Sequence, residues 1–215
     1  YLLGLAAATP WIAAVVGWTD LEAPEAPDRI GALAGNPRLV GLRPMLQDLA
    51  DDDHILRPSL RPALMAMGAA GLRLDALVRP RHLPHLAELR QRFPDLAVVV
   101  DHGAKPDIAA GELRVWGQGL RAVAADGVTC CKLSGLVTEA GEGWTVEQLK
   151  PFADIILSAF GPARTMWGSD WPVLGLAADY GSWVDATDRL LDGLPAADRA
   201  DVLGGTAARF YGLEG

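Results

Sequence analysis

The sequence predicts an α/β fold, a (β/α)8 (TIM) barrel of which this chain carries about six units in a single domain, residues 1–215. Three observations lead there. Short apolar, β-branched runs recur along the chain, and each is followed by a stretch with helical periodicity. The runs are nearly continuous in apolar residues rather than alternating, as strands of a parallel sheet buried on both faces require. The repeat is close to the roughly 31 residues that one unit of a ~250-residue barrel occupies. On that arithmetic about two βα units are missing before Tyr1. An open doubly wound sheet is the alternative, but no glycine-rich phosphate loop follows the first strand.

Taken in order, Tyr1 to Val16 is apolar and rich in small residues. It lacks the basic start of a signal peptide and reads as a helix running into a strand. The expected strands are Ala13 to Trp18, Leu39 to Met45, Leu72 to Val78, Leu96 to Asp101, Val128 to Leu133 and Thr165 to Gly168. Between them, helical spacing marks 28–34, 60–70, 83–93, 113–125, 146–160 and 180–191. Gly71 and Pro94 stop two of these helices. Residues 195–211 read as one or two closing helices.

Composition narrows the class. Half the residues are hydrophobic and 21% are charged, a globular balance. The net charge of −8 disfavours nucleic acid and anionic membranes as partners. No apolar run reaches the ~20 residues that span a bilayer. The two cysteines, Cys130 and Cys131, are adjacent, which excludes a disulfide framework and fits a cytoplasmic protein. A small-molecule substrate is the expected partner, and a homo-oligomer stays open.

In a parallel barrel, chemistry collects where strands end. Leu96 to Val100 runs into Asp101-His102-Gly103, which places His102 at the mouth as a metal ligand or general base. The last strand ends in Gly168-Ser169-Asp170-Trp171-Pro172, and Asp170 there could bind a metal or take a proton from water. Either residue could equally serve structure, as a hydrogen-bonded histidine or a turn cap. Arg43 offers a planar fork to a carboxylate or lactone oxygen, or an ion pair to a neighbour. Lys132 and Ser134 are read as alternating about their strand, with one facing inward. Asp75 is placed inside the barrel. His54 is assigned to a solvated acidic loop, and His82 and His85 to the surface or end of a helix.

Together, Gly41-Leu42-Arg43-Pro44-Met45, Val100-Asp101-His102-Gly103-Ala104-Lys105-Pro106, Lys132-Leu133-Ser134-Gly135-Leu136 and Trp167-Gly168-Ser169-Asp170-Trp171-Pro172 resemble the amidohydrolase-2 family, in its sugar-lactone hydrolase, fuconolactonase-like branch. The resemblance covers nearly the whole chain, in order. It implies a barrel that hydrolyses a lactone, with Asp170 activating water, a metal, Arg43 or Lys105 stabilising the oxyanion, and Trp171 offering an aromatic face to the sugar ring or serving in packing. It further implies that His102, Asp170 and a His-x-His pair hold a divalent metal, zinc, although members of the branch differ in needing one.

One departure stands out, since no His-x-His occurs in these residues. The expectation is that the pair belongs to the missing units, about 60 residues before Tyr1. A chain so cut would bear two bare strand edges, and would be inactive and poorly stable alone. A smaller departure is Thr206, where the family shows asparagine. A metal-dependent decarboxylase or other amidohydrolase on the same barrel, and a non-catalytic binding remnant, are the competing readings.

Overall fold

The computed structural model describes residues 1–213, and in it the expected strands pair side by side, all in parallel. They are β1 (Val15–Gly17), β2 (Leu39–Leu42), β3 (Arg73–Ala76), β4 (Val98–Val100), β5 (Cys130–Leu133) and β6 (Thr165–Trp167), neighbours in space as in sequence. The sheet curls into a six-stranded half-barrel, open between β1 and β6.

Parallel neighbours need a crossover, and helices supply each one. α1 (Leu2–Ala8) leads into β1, and α2 (Ala26–Ala34), α3 (Arg61–Ala69), α4 (Leu83–Arg92) and α5 (Arg114–Ala124) join successive strands up to β5. α6 (Leu136–Ala140) and α7 (Val146–Phe160) return the chain to β6, and α8 (Tyr180–Leu190), α9 (Ala196–Ala200) and α10 (Thr206–Tyr211) follow it. The strands are shorter than the apolar runs suggest. β2 stops at Leu42 because Pro44 has no N–H to give, and Met45 returns only as an isolated bridge to Leu77. The short α6 is the unforeseen element. It follows Gly135, whose φ of +65° turns the chain straight from strand to helix.

Two apolar layers flank the sheet. Leu42, Leu74, Val98, Val100, Cys131 and Leu133 face the helices, while Val40, Val99, Cys130 and Met166 fill the interior with Tyr211. The adjacent cysteines thus part to opposite faces, and burial pushes the Cys130 thiol up to about 11, leaving it inert. α10 closes the interior where the strands begin: the Arg73 guanidinium donates to the Phe210 carbonyl at 2.7 Å. Thr206 keeps a contact of its own, donating its hydroxyl to the Pro162 carbonyl at 3.0 Å.

His82 corrects the sequence reading. It does lie at a helix end, just before α4, but it is buried at 3% exposure rather than on the surface. Its Nδ1 accepts the Arg79 backbone N–H at 2.9 Å and must stay unprotonated to do so. Burial lowers its pKa, and Arg81 adds to this against the pull of Asp52. His54 is also less solvated than expected: its side chain is 15% exposed, with Nε2 3.8 Å from Glu22.

The sign of the resulting pH effect follows from proton counting. An unfolded histidine binds a proton below about pH 6.5 that the folded His82 refuses, so this group lowers stability as pH falls through that value. We expect the stability of the parent protein to decline relative to His82→Gln between pH 7 and pH 5. Urea denaturation at each pH checks this, and a constant difference would refute it.

Candidate active site

Three strands end in the residues that face the interior above the apolar layer. From β5, Lys132 and Ser134 both turn inward. This corrects the expectation that only one would, because residues two apart share a strand face. The Lys132 ammonium hydrogen-bonds the Asp75 carboxylate and stands 2.7 Å from Asp101 Oδ1. Asp75 and Asp101 are both fully buried. Burial works against the lysine charge, but Asp101 and Asp75 overrule it and hold its pKa above the ordinary value. Asp75 also accepts the Tyr211 hydroxyl at 2.7 Å, and burial raises its pKa against the pull of Lys132. Arg43 reaches in from the β2 loop, with Nη1 3.7 Å from Asp101 Oδ2 and its side chain 41% exposed.

His102 follows Asp101 on an unusual backbone. His102, Gly103, Ala104 and Lys105 all have positive φ, 52°, 56°, 62° and 50°. This left-handed turn is held at Gly103, whose carbonyl accepts the Trp116 indole N–H at 2.7 Å. The turn carries the imidazole over the mouth of the barrel. His102 Nδ1 lies 2.8 Å from Ser134 Oγ, and Nε2 lies 3.6 Å from Asp170 Oδ1. Asp170 also has positive φ, 58°, and its backbone carbonyl accepts the Leu174 N–H at 2.8 Å.

Electrostatics set the two members apart. Burial lowers the His102 pKa, against the pull of Asp101 and Asp170, and so favours a neutral imidazole. Burial raises the Asp170 pKa, opposed by His102, Lys105 and Arg43, and makes it a better proton acceptor than an ordinary aspartate.

The remaining expected residues sit around this pair. Lys105 is tied to Glu139, Nζ to Oε1 at 3.2 Å. Trp171 is 74% exposed, so it is a lip of the mouth and not packing. Trp18 and Met45 are likewise exposed, in the loops after β1 and β2. A cavity of about 740 Å³ lies elsewhere, on the outside between α3 and α4, and gathers no catalytic pair.

A divalent cation fits part of this arrangement. Two zinc ligands at ~2.1 Å from the metal stand about 3.4 Å apart at a tetrahedral angle, close to the spacing of His102 Nε2 and Asp170 Oδ1. Among the described residues no third His, Cys, Asp or Glu converges with them, whereas a catalytic zinc takes three protein ligands.

Gly135 makes the site possible. A Cβ there would stand 2.8 Å from His102 Nδ1 and 2.9 Å from Cγ. We expect Gly135→Ala to displace the imidazole, and to destabilise the fold by about 1–3 kcal/mol through its positive φ and the clash. Thermal unfolding beside a crystal structure of the variant checks both, and an unmoved His102 would contradict this role of Gly135.

Comparison with known proteins finds relatives along the whole chain. The chain is 47% identical over 218 residues to L-fucono-1,5-lactonase of Burkholderia ambifaria, matching 100% of this chain and 75% of that protein. It is 40% identical over 229 residues to L-fucono-1,5-lactonase of Burkholderia multivorans, matching 99% of this chain and 76% of that one. The crystal structure of a zinc-bound amidohydrolase from Burkholderia multivorans superposes with a TM-score of 0.93 at 39% identity, covering 99% of this chain and 78% of that chain. The amidohydrolase family model matches residues 1–213. With the family model matched over residues 1–213 and relatives 47% and 40% identical along the chain, the chain belongs to the amidohydrolase family.

Proposed function

We propose that this chain is the catalytic part of a hydrolase that opens a sugar lactone of the L-fucono-1,5-lactone type. The observation that carries the reading is 47% identity, along the whole chain, to a lactonase of that specificity. The facing pair His102 and Asp170 supplies chemistry to match. Water attacks the ring carbonyl carbon, and Asp170, the better proton acceptor, takes the proton of that water. The ring C–O bond then breaks, and the proton passes to the departing alkoxide to give the hydroxy acid. The neutral His102 imidazole donates to the carbonyl oxygen as it gains charge.

Arg43 is the cation freest to reach the substrate, since its side chain is 41% exposed and its carboxylate partner is 3.7 Å away. Lys105, tied to Glu139, adds positive charge near the mouth. The exposed ring of Trp171 offers a face for the sugar to lie on. A divalent cation, zinc in our reading, would be held by His102 and Asp170 and would take over the role of the imidazole N–H, polarising the carbonyl and acidifying the water.

The product is an acid, so turnover releases a proton at neutral pH. We expect the purified protein to acidify a weakly buffered solution of L-fucono-1,5-lactone. Asp170→Asn should lower kcat by about 10²- to 10⁴-fold while the variant stays folded. No proton release from a panel of 1,5- and 1,4-aldonolactones would overturn the assignment.

A further inference from the structure

Ser134 stands at the end of β5, 1% exposed, with Oγ 2.8 Å from His102 Nδ1. Two glycines allow that approach. Gly135 leaves room for the imidazole, and a Cβ on Gly168 would stand 3.3 Å from Ser134 Cβ. A hydroxyl has one proton and two lone pairs, and a neutral imidazole has one N–H and one bare nitrogen. The contact therefore has two forms. Either Ser134 donates to Nδ1 and the ring proton sits on Nε2, or Nδ1–H donates to Ser134 and the hydroxyl proton must go elsewhere. Among the described residues the Ser134 hydroxyl has no other hydrogen-bond partner. The second form would thus strand a buried donor, which proteins avoid. The first pairs the hydroxyl with Nδ1 and leaves Nε2–H aimed at the mouth, 3.6 Å from Asp170 Oδ1 and free for a substrate oxygen.

We propose that Ser134 is a positioning residue that sets the tautomer of His102, donating its hydroxyl proton to Nδ1 and so placing the imidazole proton on Nε2. The functional weight of this inference rests on the lactonase reading. It divides the labour: His102 presents an N–H to the carbonyl oxygen, and Asp170 is left to take the proton of water. The division applies to the enzyme without a bound cation, since a cation on Nε2 leaves that nitrogen no proton.

The tautomer is readable without turnover. In chelator-treated protein labelled with 15N-histidine, long-range proton–nitrogen correlation separates a bare from a protonated ring nitrogen. The chain has 4 histidines, and His102→Gln identifies the signal by its loss. We expect a bare Nδ1 and a protonated Nε2 in the parent protein. Ser134→Ala should give a mixture of tautomers, and Ser134→Thr should hold the Nε2–H form. If lactonase activity is present, we expect kcat to fall 10- to 100-fold in the alanine variant and to recover in the threonine one. A proton on Nδ1 in the parent overturns the proposal, as does an unchanged tautomer in a folded Ser134→Ala. Absent lactonase activity with the expected tautomer would sink the functional reading and leave this one standing.

Discussion

One lysine holds the middle of the half-barrel. Lys132 lies between two fully buried carboxylates, Asp75 of β3 and Asp101 at the end of β4, and so ties three adjacent strands through a single ammonium. Arg43 extends the cluster to the β2 loop, and Tyr211 brings in the last helix. Removing one partner of a buried pair strands the other charge, at a cost of about 3–5 kcal/mol. The cluster also fixes Asp101, the residue before His102, and with it the point where the chain leaves the strand for the mouth. The aim of the imidazole therefore depends on an ion cluster that need not itself touch substrate.

Much of this was legible in the sequence. Continuous apolar runs found every strand, because a buried parallel strand needs no alternation, and residues that follow such runs had to lie at the mouth. That logic placed His102 and Asp170 from position alone. It gave less for Lys132 and Ser134, although their spacing of two, applied strictly, sets both on the inner face. The ion cluster was hidden for another reason. Its members come from residues 43, 75, 101, 132 and 211, and no local pattern reports that five distant side chains meet. His82 looked like a helix-end surface residue because its burial comes from packing far along the chain.

The family membership and the geometry carry different parts of the account. A shared barrel fixes where reactions occur but not which one, as the range of enzymes on this fold shows. Identity along the whole chain to lactonases narrows the substrate. The His102 and Asp170 environments, one favouring the neutral ring and the other a stronger base, give that substrate something to react with.

The left-handed turn from His102 to Lys105 has an evolutionary side. Only one of its four residues is glycine, so His102, Ala104 and Lys105 each adopt a backbone form that disfavours an L-residue by roughly 1–2 kcal/mol. Drift toward glycine at position 104 would relax the backbone and widen its conformational range at once. Selection for a durable fold and selection for a steady imidazole would then pull this position in opposite directions. Alanine, small enough to be fully buried yet stiffer than glycine, meets both demands at this position.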